Sequence, residues 1–248
     1  MLNVTKASVY KMFHDKAFWI CMAGTVAWAI VVIMAQVLTS SARGIADTSQ
    51  LANRWYGFIG LHCVEVPLII SAVILFTGEY RDKSWKLFIA KGITRASYYF
   101  AKLICMLLLT VIITFTSLMT VAISNIIVLH AAFDGAYVWN VLQYILGQIL
   151  AHCSIGAVVM MVICLTKRGE IASIVSLGMM IFGYVMLHGI ETAMGLGEIV
   201  TDAWAFSMTA FVDFGGPTQW VRLLVALLGY LVVCSLVVIA WISRRDIE

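Results

Sequence analysis

Glu79-Tyr80-Arg81-Asp82-Lys83-Ser84-Trp85-Lys86 is the longest charged stretch of the chain, and it lies between two hydrophobic runs. The 248 residues around it are 62% hydrophobic and only 12% charged. A segment carrying that many charges cannot rest in hydrocarbon, where every unpaired charge costs several kcal/mol. It must emerge at a membrane face, and its surplus of cations says which one. The fold and the function both turn on what this loop does.

Outward from the loop, the mean hydropathy of +0.99 excludes an ordinary soluble domain. A membrane helix needs about 20 apolar residues. Six stretches meet or nearly meet that length: residues 17–38, 56–76, 98–129, 139–165, 171–190 and 221–243. They are too long and unbroken for the alternating strands of a membrane barrel. The third exceeds a straight span, so part of it is expected to tilt or project into water. No connection is long enough to bury a core of its own, so the expectation is one all-α membrane domain over residues 1–248. The first apolar run has span length and no evident cleavage site, which argues against a removed signal peptide.

Cation placement sets the orientation. Thirteen of the 16 Lys and Arg residues fall on one side: Lys6, Lys11 and Lys16; Arg81, Lys83, Lys86, Lys91, Arg95 and Lys102; Lys167 and Arg168; Arg244 and Arg245. Arg43, Arg54 and Arg222 fall on the other, among Asp47, Asp134, Glu191, Glu198, Asp202 and Asp213. Both termini are therefore expected in the cytoplasm of a multi-pass cell-membrane protein. The formal charge of +3 follows from this asymmetry and implies no nucleic-acid binding. The six cysteines (21, 63, 105, 153, 164 and 234) lie inside the apolar runs without a C-x-x-C pair, so neither a disulfide framework nor a metal site is expected.

Local catalytic signatures are missing. Gly92-Ile93-Thr94-Arg95 lacks the second glycine and the lysine of a phosphate loop, so ATP hydrolysis by the usual route is excluded. There is no H-E-x-x-H or G-x-S-x-G motif. An intramembrane enzyme would have to assemble its site from Glu65, His62, His152 and His188 on separate segments.

Several residues remain informative. Glu65 lies near the middle of the second apolar run with His62 one turn before it and Pro67 after it, where a kink is expected. The pair reads either as part of a substrate or proton path or as interhelical hydrogen bonding beside a kink. Thr110, Thr114, Ser117 and Ser124 on the third run, with Gln143, Gln148 and His152 on the fourth, read either as a cavity lining or as packing glue. Residues 2–16 read either as an amphipathic helix on the inner leaflet, with Leu2, Val9, Met12 and Phe13 on its apolar face, or as an unstructured basic start. Residues 191–218 mix acids with Trp204, Phe206, Met208 and Phe211 and suit the outer interface, and Pro217 suits the first turn of the last helix. On a helix, Trp85, Phe88 and Ile89 share one face of the charged loop, with Arg81, Asp82, Lys83 and Lys86 around the rest. That pattern fits either a solvated anchor or a docking helix for a cytosolic partner.

Glu79-Tyr80, Ser84-Trp85-Lys86 and Gly92-Ile93-Thr94-Arg95-x-x-Tyr98-x-x-x-Lys102 together resemble the cytoplasmic signature that follows the second span of ABC-2 type transporter permeases. Thr94 stands where that signature often has a proline. The resemblance implies six transmembrane helices, an N-terminal elbow helix at residues 2–16 and a coupling helix at 79–90. It implies that Glu79, Arg81, Asp82, Lys83, Trp85 and Lys86 meet a separate ATP-binding cassette subunit, with Lys167, Arg168, Gly169 and Glu170 as a smaller contact. ATP and Mg would sit in that partner, with no cofactor in this chain, and a second, identical or homologous permease would face it. Small members resemble the permeases of lantibiotic self-protection and bacitracin resistance, so the expected substrate is an amphiphile such as an antimicrobial peptide. His62, Glu65 and His152 are the candidates for its path. The other readings are export of a drug or lipid, a non-transporting immunity protein, and an intramembrane enzyme.

Overall fold

The computed structural model describes residues 2–42, 64–129, 135–195, 204–211 and 217–244. Eight α-helices occupy them: α1 Leu2–His14, α2 Lys16–Ala42, α3 Glu65–Arg81, α4 Ser84–Ala90, α5 Arg95–Leu129, α6 Gly135–Thr166, α7 Gly169–Met194 and α8 Pro217–Arg244. A short 3-10 turn, Met208–Phe211, precedes α8. There is no strand among the described residues.

Five of these helices are long and apolar enough to cross a membrane: α2, α5, α6, α7 and α8. The second expected span, residues 56–76, falls partly outside the described residues; its remainder is the first part of α3. At about 1.5 Å per residue, the 35-residue α5 is roughly 50 Å long against about 30 Å of hydrocarbon, so it does outrun the bilayer core.

Local chemistry explains where the helices begin and end. Asp15 separates α1 from α2 and its Oδ1 accepts the Ala17 N–H at 2.9 Å, capping the first turn of α2. Pro217 opens α8, where its missing N–H costs no helical bond. Pro67 falls in the first turn of α3 as described, a position that proline tolerates; the part of the span before it, on which the expected kink depends, lies outside the described residues. After α4, Gly92 takes φ +82°, its N–H reaches the Ile89 carbonyl at 2.9 Å, and the Ile93 N–H reaches the Phe88 carbonyl at 3.2 Å. This paired closure needs a left-handed residue, which glycine supplies without strain.

The core centres on α6, the most enclosed of the five long helices, while α7 and α8 are the least enclosed. Every residue from Ala151 to Met160 is buried. Thr110, Thr114 and Ser117 are buried on α5. Gly156 lets α5 approach, since a Cβ there would stand 2.6 Å from the Thr110 Oγ1. The hydroxyl of Thr110 is committed to the Met106 carbonyl at 2.9 Å, so it offers little room to yield. Five cysteines among the described residues are free thiols; Cys63 lies outside them.

α1 is a helix whose buried stripe is Val4, Ser8 and Met12, packed against the bundle, while Tyr10 and Phe13 are exposed. Of the residues expected on its apolar face, Met12 is buried, Val9 partly buried and Phe13 exposed; the side chain of Leu2 lies outside the description.

Candidate functional site

The cation-rich segments meet at one end of the bundle. Lys11 of α1 reaches Glu79 of α3, Trp85 of α4 meets Lys167 between α6 and α7, and Arg95 donates to the Ile242 carbonyl of α8 at 2.7 Å. Gly169 sits close to Thr77, whose Oγ1 would stand 3.0 Å from a Cβ there. Segments separated by more than 150 residues thus form one surface, and the grouping is the one the charge pattern implied.

Glu79 organises this end from within. It is only 5% exposed, and its Oε1 accepts from Lys102 at 2.7 Å and from Lys11 at 3.2 Å. Its Oε2 accepts from the Tyr98 hydroxyl at 2.7 Å. Lys102 also donates to Ser8 at 3.0 Å, so α1, α3 and α5 share one buried network. Burial alone would raise the Glu79 carboxyl. The charge and hydrogen bond of Lys102, the Tyr98 hydroxyl and the charge of Lys11 outweigh it and hold the group below its ordinary value of 4.5. Glu79, expected to face a partner, therefore turns its carboxylate into its own chain.

The next residues do face outward. Arg81, Asp82 and Lys83 are exposed. Arg81 and Asp82 form a 3.4 Å ion pair whose solvent exposure leaves it little energetic weight. Lys83 turns the chain into α4 from the left-handed region at φ 54°, a conformation that costs a side-chain-bearing residue about 1 kcal/mol or more. Lys167 does the same between α6 and α7, at φ 56°.

These two turns meet at Trp85. The Lys167 ammonium lies 5.2 Å from the indole centroid and the Lys86 ammonium 5.9 Å, within cation–π range. Tyr80 leans on the same ring at 6.2 Å, and its hydroxyl lies 3.4 Å from the Cys164 thiol of α6. Arg168 is exposed and extended ahead of α7, and Glu170 places an acid in the first turn of that helix, where the dipole favours it. The larger and smaller expected contacts are therefore neighbours, joined through Trp85.

A second polar group lies deep in the bundle. Glu65 and His152 are both fully buried, with His152 Nε2 3.6 Å from Glu65 Oε1. The Gln148 carbonyl lies 2.7 Å from His152 Nδ1 and can only accept, so Nδ1 carries a hydrogen and Nε2 turns to the acid. Thr209 donates to Glu65 Oε1 at 3.1 Å, and Gln148 donates to the Thr209 carbonyl at 2.8 Å. Trp204 packs against Gly183 of α7, where a Cβ would come within 2.9 Å of the indole nitrogen. The segment 204–211 is thus fastened to α3, α6 and α7. Along α3, Glu65 is about 21 Å from Glu79, two-thirds of a bilayer core away from the cationic end. His62 lies outside the described residues.

Sequence reasoning grouped His62, Glu65 and His152 as candidates for one path, and the fold brings Glu65 and His152 within 3.6 Å of each other. It passed over Thr209 as a partner of Glu65, and over Lys102, Lys11 and Tyr98 as partners of Glu79. For Lys102 a signal existed: a lone cation inside the apolar run 98–129, with Tyr98 one turn before it, calls for a buried acid. For Thr209 there was none, because 57 residues separate it from His152.

A family model described as ABC-2 family transporter protein matches residues 6–187, from α1 into α7. No curated protein matches the chain.

Proposed function

The chain belongs to the ABC-2 family of transporter proteins, and on that premise we propose that it is the permease subunit of an exporter driven by a separate ATP-binding cassette subunit. The family carries the coarse statement: a multi-pass membrane component that works with an ATP-binding cassette partner. The finer reading is a six-span subunit, with residues 56–76 as the second span, both termini in the cytoplasm of the cell-membrane protein, α1 as the elbow and residues 79–90 as the coupling segment, which is not the single helix expected: 79–81 end α3, Asp82 and Lys83 turn the chain, and 84–90 form α4.

One observation supports the coupling role best. Trp85 and Lys167 join the two turns at the cationic end, so a push on α4 reaches α6 and α7 directly. Arg81, Asp82 and Lys83 stand outward at the same place, free of the core. ATP and Mg belong to the partner, where closure of two nucleotide-binding subunits would press on this surface. A second permease, identical or homologous, would complete the path.

The proposed cargo is an amphiphile, with a lantibiotic-type antimicrobial peptide as the first candidate. The support is the apolar bundle and the mixed apolar and acidic segment 191–214. The Glu65–His152 pair would lie beside the path that such a cargo follows. A drug or lipid would suit the same bundle.

Affinity capture of the full chain from its native membrane tests the reading. A soluble protein carrying a phosphate loop should come down with it; capture of the permease alone would overturn the transporter assignment. In the same complex, D82A combined with W85A should leave ATP hydrolysis running while export falls by at least about tenfold. Wild-type coupling in that double variant would remove α4 from the mechanism.

A further inference from the structure

A cavity of about 290 Å³ opens between α1, the end of α3 and α4, beside the Glu79 network. Leu87 and Phe88 make its apolar wall, and Lys11 and Lys91 its cationic one. The charge there is unbalanced. Glu79 is the one acid among the lining residues, and Lys102 and Lys11 already approach it at 2.7 and 3.2 Å. With Lys91, three ammonium groups answer one carboxylate, a surplus of two positive charges.

Size and place narrow the occupant. The volume stands at the lower edge of the roughly 300–1,000 Å³ that small-molecule sites occupy, so a headgroup fits and an amphipathic peptide does not. The side chain of Lys11 is 59% exposed, so its ammonium can hold Glu79 and still meet a second anion. Glu79 lies three residues past Phe76, where the apolar run ends, so the cavity opens at headgroup depth. Leu87, 65% exposed, offers an acyl chain a surface that a soluble anion would leave unused. Basic pockets between helices at a cytoplasmic face suit the phosphate of an anionic lipid.

We propose that this cavity holds the phosphate headgroup of an anionic inner-leaflet phospholipid, between the ammonium groups of Lys11 and Lys91 with its chains against Leu87 and Phe88. The lipid would tie α1 to α4 and set the height of α4 at the membrane face. The inference rests on the orientation proposed above and not on the cargo.

Native mass spectrometry of the full chain, purified in detergent and given equal phosphatidylglycerol and phosphatidylcholine, tests it. The wild-type chain should retain phosphatidylglycerol preferentially. K91Q, which touches no ion pair of the core, should cut that preference about fivefold, and K11Q should cut it as well. R81Q removes an exposed cation outside the cavity and should keep the wild-type ratio. Equal retention of the two lipids by the wild type, an unchanged ratio in K91Q, or an equal loss in R81Q would each overturn the site. If K91Q instead weakens capture of a nucleotide-binding protein while the lipid ratio stays unchanged, the cavity serves a protein partner and the lipid proposal fails. A failed capture experiment on the wild type would sink the transporter reading and leave this ratio untouched.

Discussion

Glu79 shows how a single residue in a charged loop can belong to the interior. Three donors from α1 and α5 surround its carboxylate, and Lys102 is buried with it. Removing one member of a buried pair leaves the other charged and unpartnered, a loss of about 3 kcal/mol or more. E79Q should therefore lower the unfolding temperature of the detergent-purified chain sharply. Replacing both partners, as E79L with K102M, should recover much of that loss, because no buried charge remains. Unfolding followed by tryptophan fluorescence in the three proteins checks both statements.

The same residue sets a pH window. The folded-state carboxyl is held below its ordinary value of 4.5, so its contribution is fully present above that value and is lost as the pH falls through the lowered one. The stability gap between wild type and E79Q should stay constant from neutral pH down to about 4.5 and narrow below it. A gap that narrows between pH 8 and 6 would mean that another group carries the effect.

At the scale of elements, the contact between α5 and α6 depends on the absence of a side chain at Gly156. A methyl group there meets the Thr110 hydroxyl, which must abandon its bond to the Met106 carbonyl or push the helices apart. G156A should cost about 1–3 kcal/mol, in the range of overpacked cores. The cost should shrink when T110A is present, since the opposing oxygen is gone. Thermal unfolding of the two single variants and the double variant measures that coupling, and strict additivity would refute the contact.

The helices themselves were legible because length and hydropathy are local properties. The start of α8 at Pro217 and the outrun of α5 both follow from short stretches of sequence. The face of α1 was not legible in the same way. Lipid and protein are both apolar neighbours, so periodicity reveals an apolar stripe without saying which of the two it meets. Val4, Ser8 and Met12 take the inner position because Ser8 answers Lys102, a residue 94 positions away. Glu65 was visible as a costly intramembrane acid, while its partner Thr209 depended on how a distant segment returns to the bundle.

Among the described residues, two polar groups stand about 20 Å apart along α3. One is a cationic end where α1, α3, α4, α5, the α6–α7 turn and the end of α8 converge. The other is the buried Glu65–His152 group that holds the segment 204–211. The family supplies the coarse role: the membrane component of a transporter that works with an ATP-binding cassette partner. The charge asymmetry marked the first place directly in the sequence, and the second emerged only once the helices were packed. Which subunit delivers the work is a question of contact at the exposed turn before α4, and Asp82 is its most accessible acid.

A photoreactive residue placed at position 82 of the full chain, activated in intact cells, tests the central claim most directly. The account predicts an adduct with a soluble protein that carries a phosphate loop. Labelling of this position by a membrane-impermeant reagent from outside the cell, with no such adduct formed, would contradict it.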